Sequence, residues 1–437
     1  MFRAIALASL VSAAAAAQEA PAPQKLSLEA AVKLAAERNP DLQKQVLQSL
    51  SSEQDRILAR SAILPSLGFN ASWNTTRQGG GTAVIQNVEI PVPASVFHNW
   101  AASVTIRQLV FDGGKWWNNL SAAELGLASS QAQVDEQRLQ IAYLVEQRFY
   151  ELIRAQRQLV VLGDAAQRSR DQADFVQRLF DGGRSTQADV YAARANRDND
   201  EIQRLGAESR VEIARNDLAL AIGLDPAEPL AVIEPQQMLT DPAQPPPAGD
   251  AVARALQNRP SLKAAQLTVD ATKKQHAAAK GDYWPTVSLN GGYSRNTRAL
   301  SDMFADPTEN SQLFGSVNLN WNLFAGFATD ANVRKAEIQS LISQTDLMNA
   351  RRNVASDVEK AVAQLATARS QARVAQQSEE TAREGLRLAK TRQEVGVGTQ
   401  LEVRDAELKL TQAQLARLGS LVDGREAEAA LRRAQGG

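Results

Sequence analysis

One pattern is written twice in this chain. Asn39-Pro40-Asp41-Leu42 returns as Arg259-Pro260-Ser261-Leu262, a shift of 260 − 40 = 220. The same shift carries Leu64-Pro65-Ser66-Leu67-Gly68-Phe69-Asn70 onto Trp284-Pro285-Thr286-Val287-Ser288-Leu289-Asn290. Further on the shift is 213: Val110-Phe111-Asp112-Gly113 becomes Leu323-Phe324-Ala325-Gly326, and Gly183-Arg184-Ser185-Thr186-Gln187-Ala188-Asp189-Val190 becomes Gly396-Val397-Gly398-Thr399-Gln400-Leu401-Glu402-Val403. Only the segment between residues 73 and 104 changes length. Two halves that keep register over roughly 200 residues share a structural unit, and each is expected to need the other to bury its apolar face.

The repeat overrules the reading of 437 residues as about three globular domains. Aromatics at 5 % and a mean hydropathy of −0.31 argue against one large core. Abundant Ala, Gln, Arg, Leu and Glu suit long helices. A net charge of −1 gives no reason to expect a nucleic-acid partner. The absence of cysteine excludes disulfides, thiolate metal sites and a cysteine nucleophile. Met1 to Ala17 reads as a secretory signal: Arg3 is the charge, Ile5 to Val11 the apolar centre, and Ala13 to Ala17 the small residues before a cut near Gln18. No later stretch approaches the roughly 18 apolar residues of a membrane-spanning helix.

Each half then predicts the same order of elements: helix, two strands, long helix, helix. Residues 27–62 read as one helix, with Leu28, Ala31, Val32, Ala35 and Ala36 at helical spacing. After Pro65 the period becomes two. Repeat 1, residues 18–224, predicts strands at about 66–77 and 99–111 and a helical hairpin at about 113–223. A Pro-rich linker at 225–249 is expected to form an irregular strap. Repeat 2, residues 250–437, predicts strands at about 286–297 and 312–324 and a hairpin at about 326–433. Gly- and polar-rich loops are expected at 78–98 and 298–310. In the strands Leu67, Phe69, Ala71 and Trp73, or Val317, Leu319, Trp321 and Leu323, alternate with small polar residues. Strands of about ten residues can cross a bilayer when tilted. All six tryptophans (Trp73, Trp100, Trp116, Trp117, Trp284, Trp321) fall in or beside these strand pairs, as interfacial aromatic girdles require. Four strands cannot close around a lumen, so a barrel would have to be shared, and three chains would supply twelve strands.

The stretch from Gly113 to about Phe180 would make a helix of about 100 Å. Leu120, Leu127, Val134 and Ile141, and later Leu401, Leu408, Leu415 and Val422, are spaced by seven, the mark of left-handed supercoiling. Frequent Ala and Ser on these seams suit close packing of many helices.

The duplicated order resembles the outer-membrane efflux protein family, the TolC-type channel-tunnels, over nearly the whole mature chain. The resemblance rests on the Leu/Trp-Pro opening of each first strand, the Leu-Phe-(Asp/Ala)-Gly close of each second strand, and the turn Val395-Gly396-Val397-Gly398-Thr399 followed by Glu402-Val403. It implies a homotrimer: a twelve-stranded β-barrel in the outer membrane of a Gram-negative bacterium, continuous with a long periplasmic α-helical barrel. It implies a passive duct for efflux or type I secretion, working with a periplasmic adaptor and an inner-membrane pump of RND, ABC or MFS type. No enzymatic activity, cofactor or metal is expected. The alternative is a periplasmic coiled-coil adaptor or scaffold, which leaves the strand pairs unexplained.

By the same resemblance, acids just past the turn ring the narrowest point: Glu402 and Asp405, with Asp189 equivalent to Glu402 in the first repeat. Glu402 and Asp405 are at i, i+3 spacing and share a helix face. Thr186-x-x-Asp189 and Thr399-x-x-Glu402 equally fit helix capping boxes. Two departures stand out, Glu at 402 in place of the family's more usual Asp, and Arg404 beside Asp405. The turns Gly182, Gly183, Arg184, Ser185 and Gly396, Val397, Gly398, Thr399 resemble the tips that meet the adaptor. His98, expected in an external loop, and His276 have no second histidine at metal spacing.

Overall fold

Two X-Pro dipeptides divide what the pattern alone presents as single helices. The computed structural model describes residues 24–85 and 88–437, so the expected signal at Met1 to Ala17 lies outside the described residues. In chain order the elements are β1 (Gln24–Leu26), α1 (Leu28–Arg38), α2 (Pro40–Ser61), β2 (Ser66–Gln78), β3 (Gly81–Ile85), β4 (Val88–Val92), β5 (Ser95–Phe111), α3 (Lys115–Asp181), α4 (Gln187–Ile222), β6 (Leu230–Val232), α5 (Ala248–Asn258), α6 (Pro260–Lys280), β7 (Thr286–Thr297), β8 (Ser311–Asn320), α7 (Ala328–Glu394) and α8 (Gln400–Gln435). They fall into two compact units. One takes the described part of Met1–Gln43 with Gln137–Asn258 and Ala355–Gly437; the other takes Lys44–Glu136 and Arg259–Val354.

The expected helix at 27–62 is therefore two, α1 and α2. A residue before proline disfavours helical ψ, and Asn39 is extended at ψ 125°. Its Oδ1 accepts from the backbone N–H of Asp41 (2.9 Å) and Leu42 (3.2 Å), while its Nδ2 donates to the Ala221 carbonyl at 2.8 Å. The second repeat breaks at Arg259-Pro260 with different chemistry. Buried Arg259 pairs with Glu136 at 3.0 Å, and Glu136 also accepts from the Ser261 N–H at the start of α6.

The second unit carries a four-stranded antiparallel sheet in the order β2-β5-β7-β8. Its register places like with like. Leu67, Phe69 and Trp73 oppose Ile106, Val104 and Trp100. On the same face follow Tyr293 and Leu289, opposite Leu313 and Val317. The other face carries mostly small polar residues, among them Ser66, Asn70, Ser72, Ser103, Thr105, Asn290, Ser294 and Ser316, with Arg107, Gln312, Phe97 and Phe314 as larger side chains in the same rows. The apolar face is not a core: Leu313 is 83 % and Phe69 73 % exposed. Among the described residues, the two outer strands, β2 and β8, each pair along one edge only.

Three strand expectations need correction. The loop expected at 78–98 contains an antiparallel ribbon, β3 with β4, and β5 begins at Ser95 rather than 99. The β-branched run Val88, Ile90, Val92 favours extended structure. The strand expected to reach 324 stops at Asn320. Asn320 pairs with Thr286, so the next partner would be Pro285, which has no N–H to donate. Gly326 (φ 61°) and Phe327 (φ 66°) then turn the chain into α7. His98 lies on β5, not in a loop, with Nδ1 3.1 Å from the Thr75 hydroxyl.

In the first unit the linker at 225–249 is more ordered than an irregular strap. β6 pairs in parallel with β1, and a 3-10 turn follows at Gln236–Leu239. Arg157 of α3 holds Glu234 in a forked pair at 2.7 Å. Arg425 of α8 donates to the carbonyl (2.9 Å) and hydroxyl (2.6 Å) of Thr240, and Glu428 accepts from the Ala243 N–H. Pro242 lies so close over Gly424 that a Cβ there would come within 2.2 Å of the proline ring.

Gly424→Ala is expected to displace the linker and lower the melting temperature, whereas Gly206→Ala on α4, with open space around it, is expected to raise stability by about 0.5–1 kcal/mol. Thermal denaturation of the two variants checks the opposite signs.

Candidate functional site at the helix turns

The helix pair α3–α4 turns through Gly182, Gly183, Arg184 and Ser185. Gly183 takes φ 68°, and the N–H groups of Gly183 and Arg184 return to the carbonyls of Phe180 (2.9 Å) and Leu179 (2.7 Å). The pair α7–α8 turns through Gly396 at φ 79°, Val397, Gly398 and Thr399. Val397 and Gly398 both donate to the Arg392 carbonyl, at 3.0 and 2.9 Å. Left-handed glycine lets each helix close its last carbonyls in so short a turn. Below the turns small residues let the helices approach closely: Ala173, Val176, Val190 and Ala193 in one pair, and Leu386, Val403 and Leu410 with Ala382, Ala389 and Ala406 in the other. Val395, Val397 and Leu401 remain largely exposed at the second turn.

The three expected acids are in three different situations. Asp189 completes a capping box: the Thr186 hydroxyl accepts from the Asp189 N–H, and the Asp189 carboxylate accepts from the Thr186 N–H at 3.0 Å and from the Ser185 hydroxyl at 3.1 Å. The Thr186 hydroxyl and N–H, with Ser185, hold its carboxyl below the usual range. Glu402 forms only half of the equivalent box. Thr399 accepts from its N–H, but its carboxylate turns to Arg392 at 3.5 Å. Asp405, one turn on, pairs with Lys409 at 2.5 Å. Glu402 and Asp405 line one groove of about 1130 Å³ between α7 and α8, together with Leu388, Arg392 and Lys409. Among the described residues no three His, Asp or Glu side chains stand together as a metal site.

The structure adds a cluster that the sequence reading missed. Arg404 of α8 forks onto Asp200 of α4 at 2.6 and 2.9 Å and donates to the Ser169 hydroxyl of α3 at 3.0 Å. Ser169 also hydrogen-bonds Asp200, and the Arg404 and Asp200 side chains are largely buried, at 15 % and 9 % exposure. One helix turn away, buried Glu407 faces Lys390 at 4.0 Å. Burial pushes its carboxyl above the usual range, with Lys390, Arg168 and Arg404 pulling the other way. The sequence did hold a signal. The shift of 213 places Asp200 opposite Ala413, which is buried, so Asp200 is a charge on a seam position and needs a partner.

The tryptophans occupy two levels of the sheet unit. Trp73 and Trp100 stack with centroids 5.6 Å apart. Trp116 and Trp117 meet edge to face, and Trp321 Nε1 donates to the Tyr283 carbonyl at 3.2 Å beside exposed Trp284.

The family model for "Outer membrane efflux protein" matches residues 31–224 and 251–437. The chain belongs to that family. The match is in two segments, with residues 225–250 between them. The efflux protein is 25 % identical over 352 residues to the protein CyaE of Bordetella pertussis, covering 79 % of this chain and 70 % of CyaE. It is 23 % identical over 381 residues to the outer membrane protein TolC of Vibrio cholerae, covering 87 % and 83 %. Its fold superposes on a crystal structure of CusC with a TM-score of 0.83, at 19 % identity, over 94 % of this chain and 92 % of that one. It is an outer-membrane protein of an efflux and secretion channel family, a family of channels rather than enzymes. The family match sets aside the coiled-coil adaptor reading.

The lowered carboxyl of Asp189 sets a pH dependence. Its cap is in place above the unfolded-state value and is lost as pH falls through the lower folded value. Hydrogen exchange at residues 182–190, corrected for intrinsic rates, is expected to accelerate on acidification below the ordinary carboxylate range. Asp189→Asn is expected to flatten that response.

Proposed function

We propose that three copies of this efflux protein close their sheets into one twelve-stranded barrel, with the helices forming the periplasmic duct. The observation that carries this reading is the pair of unpaired edges, β2 and β8, on a sheet with one exposed apolar face. In lipid an open edge leaves backbone N–H and C=O groups with no partner, so β2 of one copy pairs with β8 of the next. Two copies would make eight strands, whose interior is just wide enough for side chains to fill. The Ser, Asn, Gly and Thr that predominate on the inner face, with Arg107, Gln312, Phe97 and Phe314 among them, form a polar lining and suit a wider, water-filled lumen.

The tryptophan levels support the same reading. Trp100 is level with Thr297, and Asn320 pairs with Thr286, which puts Trp321 level with Pro285. The separation is 297 − 285 = 12 residues, about 40 Å along a strand and about 30 Å across a bilayer at the usual tilt. That matches a hydrocarbon core of about 30 Å.

In this reading the protein is a passive export duct. It works with a periplasmic adaptor at the turns Gly182–Ser185 and Gly396–Thr399, and with an inner-membrane pump. Relatives named for protease secretion and for fusaric acid resistance fit a duct that serves different cargoes. Glu402 and Asp405 ring the closed end. Arg392 and Lys409 beside them offset part of their charge, so the ring biases current toward cations without excluding anions. The fork of Arg404 on Asp200 ties α8 to α4 and, through Ser169, to α3, and holds that end shut.

Single-channel recording in planar lipid bilayers tests the duct. Discrete cation-biased steps, blocked by a trivalent cation on the side of the helix turns, are expected; assembled protein that never conducts, even with its turns opened, argues against the reading. Glu402→Ala with Asp405→Ala should keep the trimer and weaken both cation preference and block. If both are unchanged, the two acids do not line the constriction. Asp200→Ala leaves Arg404 without its buried partner, a change that costs about 3–5 kcal/mol at buried pairs. It is expected to raise conductance or open time in the same recordings.

A further inference from the structure

One side chain breaks the uncharged pattern of the sheet's polar face. In register, Ser66, Arg107, Asn290 and Ser316 form one row across β2, β5, β7 and β8. The next row holds Gly68, Thr105, Gly292 and Phe314. Among the described residues of the four strands, Arg107 is the one charged residue on this face, because Arg77 and Arg295 alternate onto the apolar face. Arg107 is exposed, and its guanidinium makes no ion pair or hydrogen bond among the described residues. Its pairing with Asn290 puts it 290 − 285 = 5 residues, about 17 Å along the strand, from the level of Pro285 and Trp321. That is inside the span between the two tryptophan levels.

We propose that Arg107 of the three copies forms a ring of fixed positive charge in the barrel lumen, and that this ring selects for anionic solutes, above all small molecules that carry a carboxylate, phosphate or sulfonate. The proposal rests on the twelve-stranded barrel reading, which turns the polar face to the lumen. On that reading the ring has no counter-charge from protein, because β8 of the neighbouring copy brings only Gln312, Phe314, Ser316, Asn318 and Asn320 to this face. The counter-charge then comes from solution. Hydrocarbon behind the strands does not screen the ring, so its field is focused into the water-filled bore and concentrates mobile anions. Rings of arginine or lysine act in this way in anion pores. The planar fork of the guanidinium also matches two oxygens of one anionic group, which favours a carboxylate or phosphate over a halide. The duct thus carries two charge filters in series and of opposite sign, Glu402 and Asp405 at the helix turns and Arg107 in the barrel. The acids at the narrow end mask the arginines in the selectivity of the whole channel.

The test is the ion selectivity of the full-length assembly in planar bilayers, read from reversal potentials in gradients of potassium chloride and of potassium benzoate. Glu402→Ala with Asp405→Ala removes the acid filter, so the anion-to-potassium permeability ratio then reports the barrel. That ratio is expected to exceed one. Arg107→Gln in the same background should lower it about sevenfold, since a ring potential of one kT enriches anions and depletes cations about 2.7-fold each. Arg107→Glu should bring it below one. These differences should shrink in about 1 M salt, where the screening length falls to about 3 Å; a purely steric role would not follow the salt. The chain has no cysteine, so Arg107→Cys presents one thiol per copy. A trimethylammonium-ethyl thiosulfonate reagent should restore the anion preference there, and a sulfonatoethyl reagent should reverse it. If neither reagent alters the current, Arg107 does not face the lumen and the proposal fails. Channels that conduct with the same ratio before and after Arg107→Gln overturn the ring and leave the duct reading standing. Assembled protein that never conducts, even with Asp200→Ala added to open its turns, overturns the duct reading and the ring with it.

Discussion

On the proposed reading of its sheet as lipid-facing, backbone pairing at the sheet edges is the constraint on which the rest of this molecule depends. A hydrocarbon environment supplies no hydrogen bonds, so every N–H and C=O in the band must find a protein partner. β5 and β7 meet that demand between the repeats, from Trp100 with Thr297 to Phe111 with Val287. One hairpin from each half therefore becomes half of a continuous four-stranded sheet. The duplication is what makes the two hairpins compatible in length and in face. In the proposed barrel the two edges left over, β2 and β8, are the ones that pair between copies.

The helical unit solves a different problem. Alanine and serine seams allow close packing but bury little apolar area per residue, so specific contacts set position. The linker is fastened to α3 through Arg157 and to α8 through Arg425 and the Pro242–Gly424 contact. The Arg404–Asp200–Ser169 cluster ties three helices at one level. A buried ion pair contributes little net stability once its desolvation is counted, but removing one partner is costly. That asymmetry suits the role proposed for this contact, holding one arrangement of helices against another.

Legibility varied with the range of the interaction involved. The turns and the Asp189 cap are local, and their residues announce them: glycine for left-handed backbone, Thr-x-x-Asp for the box. The fate of Glu402 was not legible from the same motif, because Arg392 across the turn outcompetes the cap. The break at Asn39-Pro40 was visible as a dipeptide, yet the regular apolar spacing on either side disguised it. The β3–β4 ribbon was hidden by the glycines and prolines around it, which read as loop.

By itself the sequence determined the period of each segment, the duplication and the alternation of apolar with small polar residues. Those properties follow from side-chain spacing along a single helix or strand, so no third dimension is needed to read them. Only the tertiary structure decided which strands pair between repeats, where β8 stops, how the linker is pinned, and that Arg404 belongs to Asp200 rather than to neighbouring Asp405. Each of these joins residues far apart in the chain, with Arg404 and Asp200 separated by 404 − 200 = 204 positions. Such pairings depend on packed geometry, which local propensity does not encode.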